Sequence, residues 1–281
     1  MTPGPPPGRG HGGTAGSGPA AAAPPPVPAL TVRDLTVRFA GLTALDGIGF
    51  TVEPGTVHAV IGPNGAGKST CFNVLSGLYR AASGSVRFGD RELTSLAPHE
   101  IAGLGIARTF QNLALSAELS VADNLMLGRY RMTRTGFWSA GLRLRRGRRE
   151  ELRHRERVRE IAEFTGVAER LAEPAGSLPY GGRKRVELAR ALCAEPSLLM
   201  LDEPVAGMNA TERLEMAELI VAVRAGLGIS VLLVEHDMGL VMRLADEITV
   251  LDFGRTIAAG PPRDVQRDPA VLRAYLGEET P

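Results

Sequence analysis

The stretch that decides the fold of this chain reads Gly62-Pro63-Asn64-Gly65-Ala66-Gly67-Lys68-Ser69-Thr70. A short, mainly apolar run at residues 57–61 precedes it, and such a run is typical of a buried strand. After it, apolar side chains recur at helical spacing between residues 71 and 78. The sequence therefore predicts a strand, a glycine-rich loop and a helix, in that order.

This order gives the loop, residues 62–70, a defined chemistry, and we call it the phosphate loop. Its glycines let the backbone curl so that successive N–H groups point inward as an anion-binding nest. The N-terminus of the following helix adds its positive end. The spacing matches G-x-x-x-x-G-K-[ST] of P-loop NTPases, in which Lys68 would approach the β- and γ-phosphates and Ser69 would bind Mg²⁺. A glycine-rich turn that binds nothing is the alternative, and the flanking strand and helix disfavour it.

Composition narrows the class of protein. The chain has 281 residues, of which 44% are hydrophobic, so it can build a sizeable core. Its formal net charge is +1, so no overall electrostatic field attracts it to nucleic acid. It contains no run of 18 apolar residues, so no transmembrane helix is predicted. Residues 1–28, rich in Pro, Gly and Ala, are predicted to form a disordered tail. Cys71 and Cys193 fall in predicted helices, where we expect small buried side chains.

The rest of the chain divides by its hydrophobic pattern. Short alternating runs at 30–32, 35–39 and 49–52 predict an antiparallel sheet. Residues 113 to about 194 are charged and helical in character and read as an insertion between halves of a nucleotide-binding core. From residue 196, apolar strands alternate with helices, which predicts an α/β fold with a mostly parallel sheet. Its ligand is expected at the C-terminal edge of that sheet.

Polar residues follow three of the predicted strands. Asp202 and Glu203 leave the end of one, where Asp202 is placed to hold Mg²⁺ and Glu203 to polarise a water for attack on the γ-phosphate. His236 follows a second, where an imidazole can bind a γ-phosphate oxygen or serve a structural purpose. Gln111 follows a third and is a candidate contact for Mg²⁺ or the attacking water.

Two further features concern the nucleotide. Leu178-Pro179-Tyr180-Gly181-Gly182, the signature segment, opens a helix with three cations in its first turn, which predicts a second phosphate site; simple surface exposure is the alternative. Phe39 lies upstream of the phosphate loop, where its ring either stacks on a base or packs in the core.

Taken together and in this order, these motifs resemble the nucleotide-binding subunit of ATP-binding-cassette (ABC) transporters over residues 29–277. The resemblance implies a P-loop NTPase (RecA-like) core, an antiparallel β subdomain and an α-helical subdomain at about 113–194, with 278–281 as a short tail. It implies ATP and Mg²⁺ as cofactors, hydrolysis with Glu203, His236 and Gln111 as catalytic residues, and Mg²⁺ ligands at Ser69, Asp202 and Gln111. The signature segment of one subunit would cap the ATP of another in a head-to-tail dimer, through Tyr180, Gly181 and Gly182.

The chain departs from the family pattern at a few positions. The usual signature is L-S-G-G-Q, whereas Pro179 and Tyr180 here replace the serine and first glycine, and Gly182 replaces the glutamine. The serine hydroxyl toward the γ-phosphate is therefore lost. Asn209 stands where Asp is usual, and Phe39 stands where Tyr is common.

Within the family, the sequence is most similar to the branched-chain amino acid importers. The resemblance rests on residues 108–111, 180–181, 206–209, 234–238 and 273–278 and on the insertion near residues 136–138. It implies a second ATPase subunit, identical or different, two transmembrane permease subunits and an extracytoplasmic solute-binding protein reached indirectly. It also implies a peripheral position at the cytoplasmic face of the membrane and no nucleic-acid partner.

Other functions remain as alternatives. Urea and amide importers have similar ATPase subunits. A soluble cassette ATPase acting on DNA or ribosomes would carry long coiled coils or two cassettes, and this sequence has one cassette and no heptad run. A P-loop kinase is disfavoured by the signature segment and His236. The arginines between 143 and 149 are either the leader of a solvated helix or a contact for anionic lipid headgroups.

Overall fold

The computed structural model describes residues 27–109, 114–130 and 145–276. The strands in these ranges are β1 (Leu30–Phe39), β2 (Leu42–Val52), β3 (Val57–Ile61), β4 (Ser83–Phe88), β5 (Arg91–Glu92), β6 (Ile106–Arg108), β7 (Leu198–Asp202), β8 (Ser230–Val234), β9 (Glu247–Asp252) and β10 (Arg255–Gly260). The helices are α1 (Lys68–Leu75), α2 (Pro98–Gly103), α3 (Val121–Arg129), α4 (Arg145–Phe164), α5 (Tyr180–Leu192), α6 (Ala210–Leu227), α7 (Met238–Leu244), α8 (Pro262–Val265) and α9 (Pro269–Leu276). Two 3₁₀ turns, Ala168–Arg170 and Ala175–Ser177, lie between α4 and α5.

The central sheet has the strand order β10-β9-β3-β8-β7-β6. Its strands are parallel, except that β10 runs antiparallel to β9. Val234 on β8 pairs with Val60 on one side and with Asp202 on the other, so the ends of β3, β7 and β8 lie level. This confirms the predicted mostly parallel sheet and brings the phosphate loop beside the residues that follow β7 and β8.

A second sheet, of order β2-β1-β4-β5, is antiparallel, as predicted. The sequence pattern suggested two separate strands before residue 40, and this detail is wrong. β1 is one strand with a register irregularity between Val32 and Leu35, and Asp34 within it has a left-handed backbone with φ of 49°. A bulge of this kind interrupts the alternation of apolar and polar residues without ending the strand.

The two hydrophobic cores lie on opposite faces of the central sheet. Val60, Met200 and Leu232 pack with the antiparallel sheet, α1 and α2. Their neighbours Ile61 and Leu201 pack with the helices α3 to α7. Because successive side chains of a strand point to opposite faces, a strand buried on both faces reads as a continuous apolar run.

The helix caps follow the sequence signals. Ser120 accepts a hydrogen bond from the Asp123 backbone N–H at 3.0 Å and begins α3. Asn209 caps α6 by accepting from the Glu212 backbone N–H, and the Glu212 carboxylate accepts from the Asn209 N–H, each at 3.0 Å. These reciprocal bonds form a capping box and fix the backbone that precedes α6.

Helix α4 has the character of a solvated helix where its side chains are described. Arg155 pairs with Glu151 and Arg159 with Glu163, one turn apart on exposed faces. Arg143 lies outside the described residues. No helix in the described part of the chain combines the length and the apolar character that crossing a membrane requires.

The two cysteines are buried, as expected. Burial raises the pKa of both thiols to about 12, which keeps them protonated and unreactive at neutral pH.

Candidate nucleotide-binding site

The phosphate loop connects β3 to α1, as the sequence predicts. The Lys68 side chain is buried, and its Nζ donates to the carbonyl oxygens of Gly62 at 2.6 Å and Pro63 at 2.9 Å. The lysine therefore closes the loop on itself. At Gly62, with φ of 152°, a Cβ atom would lie 2.1 Å from the Leu251 carbonyl oxygen, so β9 packs directly against the first residue of the loop.

The loop forms the floor of an open cleft of about 580 Å³. Residues of the loop, the β2 hairpin and two later turns line this cleft: Leu42, Thr43, Ala44, Asn64, Gly65, Ala66, Gly67, Lys68, Ser69, Thr70, Glu203 and Phe253. The cleft therefore brings the predicted phosphate-binding residues together with the predicted general base. Phe253 at the edge of this cleft is 86% exposed, and no sequence motif singles it out.

Strand β7 delivers the two predicted carboxylates to this edge. Asp202, its last residue, is buried, and its Oδ2 accepts from Arg108 Nη2 at 2.8 Å. Glu203 follows with a left-handed backbone, φ 48°, and its N–H donates to the Val234 carbonyl at 2.9 Å. The two carboxylates have different partners, since Asp202 pairs with Arg108 and Glu203 lies beside His236, which suits two different tasks.

Strand β8 ends at Val234, and His236 follows two residues later with a mostly exposed imidazole. Its Nδ1 lies 3.7 Å from Glu203 Oε1 and 3.8 Å from Glu235 Oε2. The structure thus places the predicted base Glu203 and His236 side by side.

Glu235, which the sequence analysis left unassigned, is completely buried. Its carboxylate accepts from the backbone N–H groups of Val205 at 3.2 Å, His236 at 3.1 Å and Asp237 at 3.5 Å. Burial raises the pKa of Glu235, and these three N–H groups and His236 partly offset that rise. Glu235 therefore ties the loop after β7 to the loop after β8.

The charges around Lys68 favour an anion in the cleft. Burial lowers the pKa of Lys68, while Glu203 and Asp202 act in the opposite direction. An ammonium desolvated in this way gains from contact with a phosphate, because the phosphate replaces the water that burial removed.

The residues present also fit a magnesium ion. Mg²⁺ takes oxygen ligands and is usually held by one or two carboxylates, waters and substrate phosphates. Ser69 in the cleft and Asp202 at the end of β7 supply a hydroxyl and a carboxylate. Within the described residues no group of three or more His, Cys, Asp or Glu side chains is arranged to hold a metal.

The signature segment begins α5 as predicted, with Pro179 as the N-cap and Tyr180 as the first helical residue. A Cβ atom at Gly181 would lie 2.5 Å from Glu212 Oε1, and one at Gly207 would lie 3.1 Å from the Tyr180 ring. The start of α5 therefore packs closely on the capping box of α6.

The cations that follow correct one part of the prediction. Lys184 is buried beside Glu187 at 3.7 Å, and Arg185 pairs with Glu215. Two of the three cations at this helix start are therefore matched by carboxylates of the same chain, and the local positive charge is smaller than the sequence suggests.

The roles of all the predicted site residues remain predictions, and Phe39 and Gln111 complete the set. Phe39 is half-exposed at the end of β1, and its ring meets Tyr79 edge-on with centroids 5.1 Å apart. Gln111 lies outside the described residues, two positions beyond Thr109.

The comparisons with known proteins agree with this geometry. A family model described as ABC transporter matches residues 45–206, a span that includes the phosphate loop, the signature segment and Glu203. The chain belongs to the ABC transporter family. A second model, described as branched-chain amino acid ATP-binding cassette transporter, matches residues 255–280. Membership confirms the predicted fold class and identifies the chain as a nucleotide-binding ATPase of the family.

Relatives match over nearly their full length. The chain is 39% identical to the high-affinity branched-chain amino acid transport ATP-binding protein LivG of Escherichia coli, and the match covers 89% of this chain and 98% of LivG. It is 40% identical to the corresponding BraF of Pseudomonas aeruginosa over the same shares.

Solved structures of ABC transporter cassettes also match over most of the chain. The ADP conformation of an ABC transporter cassette superimposes with a TM-score of 0.78 at 31% identity, covering 89% of this chain and 99% of the other. A nucleotide-free cassette superimposes with a TM-score of 0.77 at 32% identity, covering 89% and 100%.

Proposed function

We propose that this ABC ATPase drives import of branched-chain amino acids. The observation that carries the ATPase part is the convergence, at one edge of the central sheet, of the phosphate loop, the Asp202–Glu203 turn and His236. The solute is supported by the names of the relatives and by the match of residues 255–280 to a branched-chain amino acid transporter model.

In this proposal each residue of the site has a task. The phosphate loop, with Lys68, binds the nucleotide phosphates, and Ser69 and Asp202 hold Mg²⁺, with Gln111 as a further candidate ligand. When bound, Mg²⁺ neutralises charge on the phosphate oxygens. Glu203 accepts the proton of the attacking water, and His236 beside it hydrogen-bonds the γ-phosphate.

The remaining contacts to nucleotide come from two other places. Phe39 offers its exposed ring to the base, and Tyr180, Gly181 and Gly182 cap the nucleotide of a second ATPase subunit. Because Lys184 and Arg185 are paired within the chain, we expect that cap to depend mainly on backbone N–H groups at the start of α5.

A groove of about 480 Å³ offers a place for the permease. It separates α1, α2 and β6 from the helices α3 and α5, and its walls include Leu78, Ile101, Leu127 and Ala191. Such a mostly apolar groove suits a helix of a membrane subunit. Docking there would hold the chain at the cytoplasmic face of the membrane as a peripheral subunit, with the solute-binding protein on the other side.

The decisive experiment is solute-stimulated ATP hydrolysis in the assembled transporter. The chain would be co-purified with its permease subunits, reconstituted in lipid vesicles and assayed with its solute-binding protein loaded with leucine, with urea or with neither. The proposal predicts stimulation by leucine and none by urea, with no stimulation in a Lys68→Ala transporter. Stimulation by urea alone would contradict the assignment of the solute, and hydrolysis without any permease dependence would contradict the transport role.

A further inference from the structure

We propose that Arg108 is a positioning residue for Asp202: its guanidinium fixes the carboxylate relative to the phosphate-loop helix α1. The inference rests on the proposed role of Asp202 as a Mg²⁺ ligand. Neither the motifs in the sequence nor the family match assigns a task to Arg108.

The geometry places one guanidinium between two parts of the site. Arg108 is the last residue of β6, and its side chain is 10% exposed. Its Nη2 donates to Asp202 Oδ2 at 2.8 Å. Its Nη1 lies within hydrogen-bonding distance of three oxygens on α1 or its C-cap: the Phe72 carbonyl at 3.2 Å, Asn73 Oδ1 at 2.9 Å and Ser76 Oγ at 2.6 Å.

Two physical effects hold this arrangement. The C-terminal end of a helix carries partial negative charge, so the last turn of α1 attracts a cation. The Phe72 ring also lies 5.5 Å from the guanidinium carbon, which allows a cation–π contact. The planar fork of arginine can serve α1 with one nitrogen and Asp202 with the other, which a lysine ammonium cannot do in the same geometry.

For Asp202, the expected effect of Arg108 is a fixed orientation of the carboxylate and not a stronger attraction for a cation. A carboxylate has two oxygens, and Arg108 binds one of them, so the other stays available to a second partner. The positive charge of Arg108 by itself weakens the pull of Asp202 on a cation. The arrangement therefore favours a metal only if a fixed carboxylate direction is worth more than the lost charge. Residues that orient metal ligands in this way commonly change metal affinity by 10- to 100-fold when they are replaced.

The test uses Arg108→Lys, which keeps the charge and removes the fork. ATP affinity would be measured by calorimetry without Mg²⁺ and across a Mg²⁺ titration. We expect Mg²⁺-free affinity within about twofold of the parent, because Lys68 and the loop are unchanged, and a Mg²⁺ requirement about 10- to 100-fold higher. Arg255→Lys is the matched control, since Arg255 pairs with Asp46 at an exposed site and its replacement should leave both values unchanged.

A second variant covers the case in which Arg108→Lys does not fold. Asn73→Ala with Ser76→Ala removes two anchors on α1 and leaves the Arg108–Asp202 pair intact. It should raise the Mg²⁺ requirement several-fold, in the direction of Arg108→Lys. A parental Mg²⁺ requirement in either folded variant would overturn the inference, as would an equal loss of affinity with and without Mg²⁺. If the parent itself bound no nucleotide, the proposed function would fail instead.

Discussion

Replacing Gly62 by alanine tests whether the phosphate loop is held from behind by β9. At Gly62 the added methyl group would lie 2.1 Å from the Leu251 carbonyl oxygen, which is backbone and must move. At Gly65, with φ of 82°, a methyl group meets nothing within 4 Å, so Gly65→Ala carries only the strain of a left-handed backbone. The pair therefore separates backbone strain from close packing within one loop.

The expected costs follow from these two terms. A left-handed backbone costs an L-residue about 1–2 kcal/mol, which is the whole expected effect of Gly65→Ala. Overpacking a close contact adds about 1–3 kcal/mol, so Gly62→Ala should cost about 2–5 kcal/mol.

Urea unfolding of both variants and the parent, followed by circular dichroism, measures the difference. Gly62→Ala should unfold at a clearly lower urea concentration than Gly65→Ala. If the free energies of unfolding of the two variants lay within about 0.5 kcal/mol of each other, the packing of Leu251 against Gly62 would not stabilise the loop.

Two further predictions concern single side chains of the site. Lys68→Ala should lower ATP affinity roughly 10- to 100-fold, because a charge-assisted hydrogen bond is worth about 1.5–3 kcal/mol; unchanged affinity in calorimetry would exclude the loop as the nucleotide site. Glu235→Gln should change how stability depends on pH. Burial raises the pKa of Glu235 in the folded chain above its ordinary value of 4.5. Between the unfolded and the folded pKa, the unfolded chain has already released this proton while the folded chain still holds it. The parent therefore loses stability as the pH rises from the unfolded pKa to the folded pKa. The variant lacks this titrating group. The urea midpoint of the parent minus that of the variant should therefore fall with rising pH, and a constant difference would show that Glu235 is not the group responsible.

Much of this fold could be predicted from sequence because its signals are local. The strand–loop–helix at residues 57–75 needs only a buried strand, three glycines and helical spacing, and all of these signals lie within that one segment. The Asn209 cap of α6 is local in the same way, since a capping box spans four residues. Strand β10 was missed because Thr256 to Gly260 has few large apolar side chains and little alternation.

The site was harder to predict where it depends on distant pairs. Arg108 and Asp202 are 94 positions apart, and nothing local to either residue indicates the other. Glu235 reads as one more polar residue at a strand end, because only the fold reveals three backbone N–H groups around it. Arg185 misled for the same reason, because its carboxylate partner Glu215 lies 30 positions further along the chain. An excess of charge read from a short segment is therefore weak evidence of a free anion site.

The central claim is that the phosphate loop binds ATP and that Glu203 is the base for its hydrolysis. Glu203→Gln tests it most directly, because the change is isosteric and removes only the proton acceptor beside His236. ATP affinity and the maximal rate of ATP turnover would be measured on the same preparation. We expect parental ATP affinity, a rate lower by about 10²- to 10⁴-fold and a trapped closed dimer. Turnover at the parental rate would contradict it.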